Sequence, residues 1–256
     1  MTMRYFLMIF LAIMAIEVRS EETFAEIDLL RGGAKLPVYV MSNPSAVATL
    51  ILLPGGDASI GEIKQGKPAS LGFLSRSRDW FYEDNFNIMI VYRASDLNAL
   101  DYKYRVSEHI KEIAKAIDFA KQKFGKPVWL VGTSRGSVSG TAAAIALGEG
   151  LVQGLVLTSS VTSKKWGALK TQNISSLKMP VLVVHHKNDA CDICSPKEAS
   201  EITDRLSLSP VKKFILIEGG SNPKGDPCAG LHWHGFINYE KATVKIITNW
   251  IKKPHI

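Results

Sequence analysis

A mostly parallel β-sheet with helices on both faces is the architecture this chain predicts, and three observations carry that expectation. From residue 46 onward, short runs of branched and aromatic apolar residues alternate with helix-length amphipathic segments, the order that builds βαβ units. Several of those runs are apolar throughout rather than alternating, as strands buried on both faces must be. The 256 residues suffice for one α/β domain, and no linker-like composition divides residues 21–256.

The elements follow in order. Arg4 precedes an apolar run over residues 5–16, and Val18-Arg19-Ser20 follows. That run is short for a bilayer span and fits a secretory signal peptide over residues 1–20, cleaved after Ser20. The expectation is a secreted or periplasmic protein with no stable membrane insertion once the leader is gone. Residues 24–30 and 36–41 flank Arg31-Gly32-Gly33-Ala34-Lys35 and read as an antiparallel hairpin. Residues 46–53 form an unbroken apolar strand, 57–77 a polar aperiodic loop, and 87–92 the next buried strand. Val106, Ile110, Ile113, Ala114, Ile117 and Ala120 recur at helical spacing, giving a helix over 104–124. A strand at 128–131, an alanine-rich helix at 141–148 ending on glycine, and strands at 151–157 and 181–185 come next. A helix at 196–206, a strand at 213–217 and a helix at 236–251, stopped before Pro254, complete the chain.

The formal charge is +7, or about +6 without the two arginines and one glutamate of the leader. The lysines are scattered and no aromatic residues interleave with them. A solvated basic surface is expected, and no nucleic-acid partner.

The strand at 128–131 runs into Gly132-Thr133-Ser134-Arg135-Gly136. This strand-to-helix layout is that of a nucleophile elbow, which holds a serine at a sharp turn with its hydroxyl exposed. Small residues at 132 and 136 let such a turn close. A serine hydroxyl needs a base to take its proton and a third group to orient that base. Both residue types stand after later strands, in the order serine, acid, histidine: Asp189 follows the strand at 181–185, and His234 precedes the last helix.

With Gly132-Thr133-Ser134-Arg135-Gly136, His186-Lys187-Asn188-Asp189 and His234-Gly235-Phe236 in this order, the chain resembles the α/β-hydrolase superfamily over nearly its whole mature length. The resemblance implies the α/β-hydrolase fold, with Ser134 as nucleophile, His234 as general base and then acid, and Asp189 as orienting carboxylate. Asp192 is the alternative acid and His232 the alternative base. Two amides are expected to hold the oxyanion. One is that of Arg135; the other comes from Leu53-Pro54-Gly55-Gly56-Asp57, with Gly56 first and Asp57 next. The family often has His-Gly where this chain has Pro54-Gly55. The Arg135 side chain is expected to pair with a nearby carboxylate, the alternative being an anionic substrate. Gly136 and Gly140, one turn apart, are expected to let the helix approach a neighbour closely.

A convergent triad would bring the loops of Cys191 and Cys228 together, so a Cys191–Cys228 disulfide is expected, with Cys194 as the alternative partner. In the chain-entropy model that bridge is worth about 4 kcal/mol. No metal site and no cofactor are expected. Only about twenty residues, 159–179, separate two successive strands, so the lid should be minimal. Trp166, Leu169 and the 57–77 loop are candidate cleft walls. These readings imply an esterase acting on a small soluble acyl substrate through an acyl-enzyme. A peptidase, a thioesterase, or a binding protein without turnover are the alternatives on the same scaffold.

Overall fold

The computed structural model describes residues 21–255; the signal-peptide expectation at 1–20 lies outside the described residues. The chain enters through the hairpin β1 (Glu21–Asp28) and β2 (Lys35–Ser42). It then forms β3 (Ala48–Leu53), a two-stranded ribbon of β4 (Ile63–Lys64) and β5 (Lys67–Pro68), and two short helices, α1 (Phe73–Arg76) and α2 (Arg78–Glu83). Strand β6 (Phe86–Val91), helices α3 (Tyr102–Arg105) and α4 (Glu108–Phe124), strand β7 (Val128–Thr133) and helix α5 (Arg135–Leu147) follow. The remainder is β8 (Gly154–Thr158), β9 (Val181–His186), α6 (Pro196–Asp204), β10 (Lys212–Ile217) and α7 (Glu240–Lys252).

Eight strands form one sheet in the order β1-β2-β6-β3-β7-β8-β9-β10. β2 runs antiparallel to β1 and β6, and every other pairing in this sheet is parallel. The chain enters the parallel part at β3, places β6 on one side of it and returns to place β7 on the other. At such a reversal the connections leave the carboxyl ends in opposite directions and open a crevice. Leu53 ends β3 opposite Gly132 of β7, so the crevice lies beyond those two residues.

Alternation along each strand feeds two cores. Ile51, Leu53, Leu130 and Leu155 pack with Ile113 and Ile117 of α4 and Val138 of α5. Leu50, Leu52, Val131 and Val184 pack with Phe81 of α2 and Val244, Ile247 and Trp250 of α7. The sheet is thus covered on both faces, as the unbroken apolar strands require. Among the described residues no helix is long and apolar enough to cross a membrane.

Three local expectations give way. The segment 57–77 is not one loop: it carries the β4–β5 ribbon and α1, elements too short to show a period. The helix read over 104–124 is broken, since Val106 and Ser107 separate α3 from α4. The last helix begins at Glu240 rather than 236, because Phe236 and Asn238 take left-handed backbone (φ 57° each). Phe236 is apolar for a different reason: its buried ring packs 4.8 Å from that of Phe73.

Two histidines in the interior set a pH limit on the fold. Burial pulls the pKa of His109 and of His185 down to about 3, whereas both take a proton near 6.5 when unfolded. Between those values the unfolded chain binds more protons, so stability falls as pH drops from about 6.5 toward about 3. Unfolding free energies from urea titrations should decline steadily from pH 7 to pH 4, by a total on the order of a few kcal/mol, and His109→Phe should flatten the slope.

Candidate active site

The crevice is built at the end of β7. Ser134 caps α5 with φ 50° and ψ −126°, a sparsely populated conformation for a side-chain-bearing residue, costing about 1–3 kcal/mol. Neighbouring bonds hold it there. The Ser134 amide donates to the Thr158 carbonyl at 3.1 Å, and its own carbonyl accepts from the Ser137 amide at 2.9 Å and the Ser137 hydroxyl at 2.6 Å. The turn closes because its flanks lack side chains. A Cβ on Gly136 would lie 2.0 Å from the Leu53 carbonyl oxygen, and one on Gly132 would lie 2.6 Å from that of Gly136.

Asp189 leaves β9 in a tight turn, its amide donating to the His186 carbonyl at 3.0 Å. Its carboxylate is buried; Oδ1 accepts from the Cys191 amide at 3.0 Å and Oδ2 lies 2.9 Å from Nδ1 of His234. An acceptor at Nδ1 places the ring proton there and leaves Nε2 as a lone pair in the neutral imidazole. Nε2 is buried and has no hydrogen-bond partner among the described residues. Ser134 and His234 line the same cavity of about 270 Å³, with Gly55, Gly56, Asp57, Ser70, Gly230 and others. They are not hydrogen-bonded to each other, since Nε2 of His234 has no partner among the described residues.

The structure therefore brings Ser134, Asp189 and His234 to one end of the sheet. The alternatives lie elsewhere. Asp192 is exposed and touches Cys228 Sγ at 3.6 Å, while the His232 ring lies beside Trp233, its Nδ1 without a partner. Gly56 follows β3 at φ 57° and lines the cavity. Arg135 is the first residue of α5, so its amide has no partner within the helix. Gly55 packs against Ser134 so tightly that a Cβ there would meet the serine Cβ at 2.8 Å.

Three side-chain expectations are corrected. No carboxylate lies within ion-pair distance of Arg135 among the described residues; its exposed guanidinium sits over the Tyr102 ring, 5.9 Å from the centroid. Leu169 is not a cleft wall, because it is fully buried in the core against α5. Trp166 is exposed and lies outside the cavity lining. The 57–77 segment does form one wall, through Asp57, Ala58, Ser59, Ser70, Gly72 and Phe73. Between β8 and β9 only two single 3₁₀ turns occur, so the lid is minimal.

Cys191 and Cys228 are joined by a disulfide and Cys194 is the buried free thiol. The bridge ties the loop carrying Asp189 to the segment leading into His234. Cys194 Sγ, Cys191 Sγ and a ring nitrogen of His234 lie within 4.8 Å of one another. Cys191 is committed to the disulfide, which removes it as a thiolate ligand. Burial pushes the Cys194 thiol well above its ordinary range and keeps it neutral.

Sequence reasoning missed the supports of the histidine loop. His186 accepts the Asn188 amide at Nδ1 (3.0 Å) and so donates from Nε2 to the Gly219 carbonyl (2.9 Å). Its ring stacks on Trp233 at 4.7 Å. Arg76 reaches from α1 to the Gly235 carbonyl (2.7 Å) and Glu240 (2.6 Å), and the Ser159 hydroxyl donates to the His234 carbonyl at 2.8 Å. The aromatic beside His234 was a visible signal for the first; no local pattern marks Arg76 or Ser159.

No family model matches the chain, and neither does any curated protein. Solved structures do resemble it. A dienelactone hydrolase from Anabaena variabilis is 14% identical, covers 91% of this chain and 97% of its own, and superposes with a TM-score of 0.66. The esterase Pf2001 from Pyrococcus furiosus is 14% identical, with 91% and 90% covered and a TM-score of 0.63. An acylaminoacyl peptidase from Pyrococcus horikoshii is 10% identical and covers 94% of this chain but 43% of its own, at a TM-score of 0.64. The sheet order and these likenesses agree: the chain has the α/β-hydrolase fold.

Proposed function

We propose that the protein is a serine hydrolase that cleaves a carboxylic ester of a small soluble substrate through an acyl-enzyme. The observation that carries this reading is the buried His234, bonded to Asp189 at 2.9 Å, with a free Nε2 bordering the cavity that Ser134 also lines. Rotation about the Ser134 Cα–Cβ bond brings the hydroxyl to Nε2. His234 then takes the proton as Oγ attacks the carbonyl carbon, and Asp189 stabilises the imidazolium. The amides of Arg135 and Gly56 receive the oxyanion. His234 returns the proton to the leaving oxygen, and water repeats the sequence to free the acid.

Several features support an ester. The cavity is small and lined largely by glycine backbone and short side chains, and the lid is minimal. The structural neighbours include an esterase and a dienelactone hydrolase. Export with loss of residues 1–20 accords with a Cys191–Cys228 bridge, which persists in an oxidising compartment.

A fluorophosphonate probe should label the chain at Ser134, and p-nitrophenyl acetate should be hydrolysed faster than matched anilides or thioesters. A chain that neither labels nor turns over any of these overturns the reading; faster anilide cleavage would make it a peptidase.

A further inference from the structure

Arg105 is a fully buried cation with no carboxylate within ion-pair distance among the described residues. Its guanidinium donates from Nη2 to the Gly56 carbonyl at 2.7 Å, from Nη1 to the Ser139 hydroxyl at 2.9 Å, and from Nε to the Leu100 carbonyl at 3.3 Å. The acids nearest to it are engaged elsewhere: Asp57 pairs with Arg93, and Asp101 caps α3 through the Tyr104 amide. Burial, then the neighbouring Arg135, pulls its pKa down to about 10, which leaves it charged at neutral pH. A buried charge without a counter-ion is costly to retain, and an aliphatic side chain would fill the space without that cost.

Its bonds explain what the charge does. Gly55 and Gly56 make the segment after β3 conformationally permissive, with Gly56 at positive φ. The peptide between Gly56 and Asp57 is trans, so its carbonyl and its N–H point in opposite directions. With the carbonyl fixed on Arg105 in the interior, the Asp57 N–H, the alternative oxyanion donor next to that of Gly56, is directed away from the guanidinium, and Gly56 and Asp57 both line the cavity. The second contact, Ser139, sits about one turn inside α5, the helix whose first amide is that of Arg135. Ser139 is itself held by His109, whose Nδ1 lies 3.0 Å from its hydroxyl. One guanidinium therefore joins the two segments that would supply oxyanion donors.

We propose that Arg105 is a positioning residue of the hydrolytic site: it locks the Gly56–Asp57 peptide against α5 and places a fixed positive charge beneath the cavity wall that receives the oxyanion. This role rests on the serine-hydrolase reading. It acts on negative charge that appears only in the transition state, so it should affect kcat and leave KM nearly unchanged.

The test compares wild type, Arg105→Met and Arg105→Lys in p-nitrophenyl acetate hydrolysis, in inhibition by phenylboronic acid, and in thermal melting. Arg105→Met should lose about 30- to 100-fold in kcat, keep KM within about twofold, and bind the boronate more weakly by a factor comparable to the kcat loss. Arg105→Lys, which keeps the charge but not the fork, should recover about tenfold of that loss. A kcat within threefold of wild type in Arg105→Met overturns the proposal, as does a kcat loss with unchanged boronate affinity. If Arg105→Met does not fold, Arg105→Lys decides: a melting temperature like wild type with unchanged kcat overturns the role, and a loss of threefold or more at unchanged KM supports it. A wild type that neither hydrolyses nor labels overturns the hydrolase reading and this role together, an outcome separate from the others.

Discussion

Ser134→Ala should lower kcat for p-nitrophenyl esters by on the order of 10⁵- to 10⁶-fold while the protein melts at or slightly above the wild-type temperature. The size follows from what is removed, the atom that forms the acyl bond. The stability follows from the backbone, because every bond that holds the turn uses main-chain groups or Ser137, and none uses Ser134 Oγ. The adjacent Cys194 thiol makes the experiment sharper. It lies within 4.8 Å of a ring nitrogen of His234, but it is buried and held neutral, so it should not substitute as nucleophile. Activity retained in Ser134→Ala, with label moved to Cys194, would reassign the nucleophile.

Gly136→Ala should destabilise the fold by about 3 kcal/mol or more, lowering the melting temperature by roughly 6–12 °C for a chain of this size. An added Cβ would lie 2.0 Å from the Leu53 carbonyl oxygen and 2.7 Å from that of Pro54. Both are backbone atoms that no side-chain rotation can clear. Relief requires α5 to move from β3, which also carries Ser134 and the Arg135 amide away from Gly56, so activity should fall with stability. Gly140→Ala is the control. Its Cβ would meet the methyl groups of Leu53 and Leu155 at 3.4 Å, a contact they can yield, and alanine is favoured over glycine within a helix by about 0.5–1 kcal/mol. Thermal melting of the two variants should separate them clearly. Equal effects would show that the close approach at Gly136 is not what fixes the elbow.

The sheet was legible along the chain because a strand buried on both faces is apolar along most of its length; β3, β6, β7 and β9 show such runs, and the structure has them within two residues of the expected bounds. The elbow was legible for a related reason. A strand that meets a helix with no connecting loop needs glycine on both sides of its turn, and Gly132 and Gly136 advertise that need. The short pieces were not legible. α1, α2 and α3 span four to six residues each, too few to establish a period, and Phe236 looked like a helical residue although its left-handed backbone ends a 3₁₀ turn.

Within the cavity the division is similar. Chain order and the family resemblance named Ser134 and Asp189, which stand just beyond the ends of β7 and β9, and His234, which stands between the last strand and the last helix. The disulfide partners were named by the same reasoning, since joining the acid and histidine loops brings Cys191 to Cys228. The side chains that steady those groups come from far away. Arg76 grips Gly235 across 159 residues, Ser159 bonds the His234 carbonyl across 75, and Arg105 holds Gly56 across 49. Chain order determined this protein's sheet, its turn at Ser134 and the types of group gathered there, because burial and backbone geometry act through neighbouring residues. Tertiary structure alone decided how those groups are aimed and which charges lie beneath them, because a buried arginine is matched to whichever carbonyls folding leaves within reach, and no local pattern encodes that match.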